Sequence, residues 1–483
     1  MRRLLIILLL STLLAACSRP SRPLAPVRQS HEIVVVTYNS PTTYYVNGNS
    51  DFAGIEYDLA RLFAAELSKN ADVPFKVKFL VVNSVGEVIP TLLKGHAHIA
   101  AAGLEITRLR SHLVRFGPSY QQVQPQLVTH KDIAEEPHNL SEINGMSLQV
   151  SSGSGVAEQL ADISVDMPHL QWREAPLTGS DELLEKVAEG TLDATVADSH
   201  LVAMVQNYYP DLQPAFNVGA PRNLAWGFPK EGDHWLYQQA DAFFARIQSD
   251  GTWRNLQDRY YGHSTRLNAM DVNGFLERME TLLPRYIPLM KAAQASTNLD
   301  WRLLAALSYQ ESHWDTFNTS PTNVRGLMML TEDTADRMGV TNRLDPKQSI
   351  MAGGRYLLLL KDEIPERIVE PDRTWMALAA YNVGLAHLED ARILAQKMKL
   401  NPDAWADVKK TLPLLNKVEH YSNLKFGFAR GGAAVIFVDS IRTYQKILEK
   451  YQEKKAPAPA PPAPTWLPKF NLAWLGIETT AMQ

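Results

Sequence analysis

The hydrophobic pattern of this chain changes period once, and that change divides it. From His31 to about Gly262, short β-branched runs alternate with stretches whose apolar residues recur at helical spacing. The run Glu32-Ile33-Val34-Val35-Val36-Thr37 reads as a buried strand, and so do 77–82 and 98–102. Between the first two, Leu59, Leu62, Phe63 and Leu67 mark one face of a helix. Such alternation predicts an α/β fold with a largely parallel sheet. From about Asp271 onward the pattern is almost entirely helical. Helices are expected over 301–312, with Asp300 as N-cap, and over 351–361, 374–382 and 432–451. His263 to Asn268 is the expected junction. A mainly α part therefore follows an α/β part, and 483 residues give room for about three folding units of ~150 residues.

The two ends read differently. Arg2-Arg3 precede the apolar run Leu4 to Leu14, which falls short of the ~20 residues that span a bilayer. Leu14-Ala15-Ala16-Cys17 resembles a bacterial lipoprotein signal, which implies cleavage before Cys17 and lipid on its sulfur. Ser18 follows, and an Asp there would favour the inner membrane. The expected address is therefore the outer membrane, at its periplasmic face, with the membrane as a partner through lipidated Cys17. The expected organisation is a signal at 1–16, a tether at 17–30, the α/β part at 31–265, the helical part at 270–452, and a Pro-rich linker and tail at 453–483. Cys17 is the only cysteine, so the mature chain has neither disulfide nor thiolate metal site. No metal or other cofactor is called for. A formal charge of -4 gives no electrostatic case for nucleic acid.

In the helical part, Tyr309-Gln310-Glu311-Ser312-His313-Trp314 places a carboxylate at the end of an apolar helix, before a turn-rich loop. A glycosidic oxygen leaves readily only when protonated, so its acid must be held neutral by an apolar pocket. Tyr309, Trp314 and Phe317 are the expected walls. With Ser320, then Gly326-Leu327-Met328-Met329 and Ala379-Ala380-Tyr381-Asn382-Val383-Gly384, this stretch resembles the goose-lysozyme-like lytic transglycosylases of bacterial cell walls. Glu311, Ser312, Ser320, Gly326, Leu327 and Met328 keep that family's register. The resemblance implies a lysozyme-like fold acting on peptidoglycan glycan strands. One acid/base, Glu311, would cut the bond between N-acetylmuramic acid and N-acetylglucosamine and leave a 1,6-anhydromuramic end. It assigns Ser312, Ser320, Met328, Met329, Tyr381 and Asn382 to the substrate cleft. Met329 stands where Gln is usual, Asn323 where Gly is usual and Ala433 where many members carry Glu. Two other readings stay open. The helical part could be an inactive, peptidoglycan-gripping domain of a receptor. It could also be a hydrolase using Asp315 or Asp345 as second carboxylate.

The α/β part resembles the periplasmic binding proteins for amino acids and similar polar solutes. The likeness rests on Gly54-Ile55-Glu56-Tyr57-Asp58-Leu59, on Gly103-Leu104-Glu105-Ile106-Thr107 with Arg110, and on Leu192 to Asp198. It implies two lobes hinged around a cleft. Arg110 would clamp a ligand carboxylate, with Ser154 in Gly153-Ser154-Gly155 beside it, and Asp198 would pair with an ammonium. Glu105 stands where a small hydroxyl residue is usual, and so near Arg110 it could pair with it. The expected ligand is a muropeptide or an amino-acid-like molecule.

Overall fold

The computed structural model describes residues 24–46, 52–263, 267, 269–320 and 324–455. The signal segment, Cys17, most of the tether, Asn323, and the Pro-rich linker and tail beyond 455 lie outside the described residues. The end of the tether does not hang free. Val27–Ser30 forms a helical turn, and Val27 is fully buried in the first lobe's core.

Two five-stranded sheets form the α/β part. The first runs in the order Lys76–Val82, Glu32–Tyr38, Ile99–Ala100, Gly227–Pro229, Val114–Phe116. The second runs Arg173–Ala175, Leu148–Ser151, Ala194–Asp198, Pro125–His130, Leu212–Asn217. In each, one strand opposes the rest: Gly227–Pro229 in the first and Pro125–His130 in the second. Both opposing strands directly follow a strand of the ribbon that joins the lobes, Gln121–Val123 paired with Arg222–Leu224. The chain thus crosses between lobes twice and enters each sheet against its grain.

Helices cover both faces of the first sheet, which is why Glu32–Tyr38 is buried along its interior. Its side chains alternate between two cores. Ile33 and Val35 join Leu59 and Phe63, whereas Val34 and Val36 join Val88 and Leu92. Glu56 is a fully buried carboxyl near the ribbon. It accepts bonds from Tyr120 Oη (2.5 Å), Trp226 Nε1 (2.7 Å) and Gly103 N (2.8 Å), and burial still raises its pKa.

The helical part is built around Trp301–Ser312, buried continuously from Arg302 to Tyr309. Ile287–Thr297 and the long Gly431–Lys455 helix pack against it. The two parts are joined through Thr252–Tyr261. Asp258 there meets Lys409 and Arg442, Arg254 pairs with Asp407, and Arg259 reaches Asp372. Arg442 also donates to the carbonyls of Asp258 (2.5 Å) and Arg259 (3.2 Å) and lies over the Trp375 ring. No helix among the described residues is long and apolar enough to cross a membrane.

Candidate active site and interlobe cleft

The helix bearing Glu311 starts where expected. Asp300 caps it, accepting from Arg302 N at 2.8 Å. It stops through two consecutive left-handed residues, His313 (φ 53°) and Trp314 (φ 60°). That reversal folds the Trp314 indole back beneath the helix, where Nε1 donates to Ala305 O at 3.0 Å. Tyr309 and Trp314 join Phe275 and Tyr444 in an aromatic cluster. They are not the expected walls of the acid. Residues two apart on a helix point about 200° apart, so Tyr309 and Glu311 face opposite ways. Phe317 is 76% exposed. The aromatic group that does approach Glu311 is Tyr381, whose own titration is raised first by burial and then by that carboxyl.

Glu311 keeps partial exposure, but its carboxyl is hemmed in by protein atoms. Among the described residues, nothing hydrogen-bonds it and nothing forms an ion pair with it. Burial pushes its pKa up to about 8. Apart from Arg302 and Ser308, the helix is apolar until its last turn, and the carboxyl placed there emerges beside Tyr381 and accepts no hydrogen bond among the described residues.

Ser312 and the Gly326-Leu327-Met328-Met329 turn form the floor behind the acid. Ser312 Oγ lies 3.0 Å from both Ser308 O and Leu327 O, and Ser308 Oγ donates to Leu327 O at 3.1 Å. Ser312 therefore fastens the turn to the helix. Gly326 is obligatory: its φ is 82°, and a Cβ would lie 1.9 Å from Arg343 O. Met328 differs from its expected place on the cleft wall. Its side chain is fully buried against Gly353, where a Cβ would come within 2.6 Å of it. What Met328 offers outward is its carbonyl, which accepts from Tyr381 Oη at 2.9 Å. Met329 is half-buried and left-handed (φ 43°). Ser320 closes the preceding loop, its Oγ accepting from Val324 N at 3.1 Å. Asn382 is exposed at the end of the Asp372–Val383 helix.

Ser349, which accepts from Met328 N at 3.1 Å, and Tyr356, which packs on Tyr381, were not anticipated. The one signal for them was Gly353-Gly354 inside a helix, a pair that weakens the helix unless something packs closely there. The carboxylates considered as partners of Glu311 are otherwise employed. Asp315 accepts from Phe317 N (2.9 Å) in a turn, and Asp345 caps a helix through Gln348 N (2.8 Å).

In the interlobe cleft, Arg110 is buried and saturated by the protein itself. Nη1 donates to Glu105 Oε2 (2.8 Å), Nε to Glu158 Oε1 (2.7 Å) and Nη2 to Gly153 O (2.9 Å). The expectation of a guanidinium open to a ligand carboxylate is therefore corrected. Glu158, on the other lobe, and Arg222, on the ribbon, were missed. Ser154 caps the Gly155–Asp166 helix through Ala157 N at 3.1 Å. Asp198 Oδ1 has no hydrogen-bond partner among the described residues, and burial, then the charge of Glu105, push its pKa up to about 7. The cavity around these side chains, lined by Tyr38, Thr43, Glu105, Ser154, Asp198 and His200, is about 50 Å³. That is room for a water or two, against ~300 Å³ or more for ordinary ligand pockets.

Comparison with known proteins follows the same division. The profile of the family described as bacterial extracellular solute-binding proteins, family 3, matches residues 33–263, and that of the transglycosylase SLT domain matches residues 288–403. The membrane-bound lytic murein transglycosylase F of Methylobacillus flagellatus is 58% identical over 482 residues, covering 100% of each chain. The chain belongs to this family. The Nitrosospira multiformis member is 51% identical, covering 91% of this chain and 90% of its own. A Pseudomonas fluorescens member is 41% identical, with 90% and 88% covered. Like the rest of the family, the chain is a peptidoglycan lytic transglycosylase, here with a solute-binding domain ahead of its helical catalytic domain.

Proposed function

We propose that Glu311 works alone, first as acid and then as base. Neutral Glu311 donates its proton to the glycosidic oxygen as the bond from muramic acid C1 breaks. The resulting carboxylate takes the proton of the C6 hydroxyl of the same sugar as that oxygen bonds to C1. The products are a 1,6-anhydromuramic end and a free N-acetylglucosamine hydroxyl, with no water consumed. The observation carrying this is a partnerless carboxyl raised by burial, while Asp315 and Asp345 serve turns and caps. An attacking hydroxyl within the substrate also replaces the positioned water for which a hydrolase keeps a second carboxylate. Digestion of purified peptidoglycan by the full-length chain in detergent, followed by mass spectrometry, tests it. Ends one water lighter than a hydrolase would leave are expected; reducing ends would defeat the proposal. Ser320, Met329, Tyr381 and Asn382 then line the glycan path, and Ser312 and Met328 support it from behind.

The N-terminal domain, in the same reading, senses peptide-bearing wall fragments and modulates the glycan cleft. A chamber of about 1210 Å³ lies between both lobes and the helical domain, with Asp181 and Glu182 on one wall and Lys446 and Lys450 on another. Such paired charge suits zwitterionic peptides. Trp375, which lines the chamber, and Asp372 belong to the Asp372–Val383 helix, whose last turn carries Tyr381 beside Glu311. Titration with muropeptides should show binding and a changed turnover; neither effect would remove the sensing role.

Lipidated Cys17 is proposed to hold the enzyme at the periplasmic face of the outer membrane. A Cys17→Ser chain should move to the soluble periplasmic fraction or keep an uncleaved signal. Unaltered outer-membrane fractionation would exclude lipidation as the anchor.

A further inference from the structure

A two-lobed fold with a ribbon hinge ordinarily closes on a ligand held between the lobes. In this chain the inner end of the space between the lobes, beside the ribbon, is occupied by a side chain, while a larger chamber opens farther out. Glu105 belongs to the first lobe and bridges Leu224 of the ribbon. Its carboxylate reaches across to the N-terminus of the second lobe's Gly155–Asp166 helix. There it presses on Gly155 so closely that a Cβ would lie 2.7 Å from Glu105 Cδ. A helix N-terminus favours an anion. Two guanidiniums complete the setting. Arg110 donates to Glu105 at 2.8 Å, and Arg222 Nη1 lies 3.8 Å from Glu105 Oε1. None of the three Arg222 nitrogens has a hydrogen-bond partner among the described residues, and the side chain is only 11% exposed. A buried guanidinium left in that state needs a nearby anion; Glu105 pairs with it, and Asp198 also feels its charge.

The lobes are stapled around this point. Thr107 Oγ1 and Arg110 Nε, both on the first lobe, bind the two oxygens of Glu158 on the second at 2.5 and 2.7 Å. Arg110 Nη2 reaches Gly153 O. Gly153 itself meets Gly86 of the first lobe at a distance no side chain would allow, a Cβ falling 2.6 Å from Gly86 Cα. About 50 Å³ is left around Glu105 itself. Burial alone would raise the Glu105 pKa, yet Arg110 and Arg222 hold it below the ordinary range, so the side chain is an anion at neutral pH.

We propose that Glu105 is a built-in occupant of an interlobe anion site: its carboxylate stands where a ligand's would, holds the lobes together, and bars free α-amino acids and other small carboxylates. A peptide fragment would then act in the larger chamber that both lobes share with the helical domain and not at this inner site.

Thermal unfolding of the full-length chain in detergent tests this, with formate, acetate, glycine or alanine set against chloride at equal ionic strength. The parent chain should show no specific shift with any of them. Glu105→Ala should melt roughly 5 °C lower or more, and acetate should restore about half of the loss by filling the vacated site. Glu105→Gln keeps the shape without the charge; it should be destabilised and gain nothing from acetate. Stabilisation of the parent by any of these carboxylates would overturn the proposal. So would a folded Glu105→Ala chain that acetate does not rescue, or equal rescue of the Ala and Gln variants. If Glu105→Ala does not fold, the parent and the Gln variant still decide.

Discussion

Replacing Glu311 by Gln should lower turnover by about 10³-fold or more and leave the fold intact. General acid–base groups contribute 10²–10⁴-fold, and a residue serving in both halves of one reaction stands at the upper end. Gln matches the shape of protonated Glu, so the pocket loses a proton and little else. The raised pKa adds two further expectations. As acid, Glu311 works only while protonated, so kcat/KM should fall about tenfold per pH unit above about 8. Stability runs the same way. The folded pKa lies above the unfolded value of roughly 4.3, so between the two the folded chain binds the extra proton. This contribution is complete below the lower value and is lost as pH rises through the upper one. The Gln variant carries no such burden. Its melting temperature should match the parent near pH 4 and exceed it at pH 9, by about 2–4 °C for each kcal/mol regained. Retained activity in the variant would remove Glu311 from the mechanism. A melting difference that ignores pH would mean that its carboxyl is not held neutral.

Much of this architecture could be read in advance, because local signals and tertiary demands agree. The β-branched run at Glu32 to Thr37 is a strand buried on both faces, and Asp300 caps the helix it was expected to cap. Glu311 stands out in the sequence through its spacing to Ser320 and Gly326, two residues whose backbone roles the structure explains. The errors share one cause. Tyr309 and Trp314 were placed beside the acid by nearness in sequence, and two left-handed residues turned Trp314 away. Met328 was given an outward side chain, although Gly353 had made room for it within the core. Arg110 pairs with Glu105 five residues away, as their closeness in sequence suggests, but its second partner, Glu158, lies 48 residues away and on the opposite lobe. No periodicity reports a contact of that kind.

The contact between the domains was equally invisible in the sequence, and Arg442→Ala should expose its weight. Arg442 is 4% exposed. It pairs with Asp258 (3.3 Å) across the interface and Asp439 (3.1 Å) on its own helix, donates to two carbonyls of the Thr252–Tyr261 helix, and lies over Trp375. Ala would leave Asp258 and Asp439 buried with Lys409 as their remaining shared cation. Breaking a buried pair from one side typically costs about 3–5 kcal/mol. Most of these partners sit on the binding-domain side, so the loss falls on the seam and not on either core. Calorimetry should show the parent unfolding in one joined transition and the variant in two, the binding domain separating from the helical domain. Arg442→Lys should fall between them, because an ammonium keeps the charge but cannot make the fork of bonds to both carbonyls. Trp375 and Asp372 lie on the helix whose last turn carries Tyr381, so the same substitution should also uncouple turnover from anything bound in the interdomain chamber. An unchanged melting profile together with an unchanged response to muropeptides would show that the two domains communicate by another route.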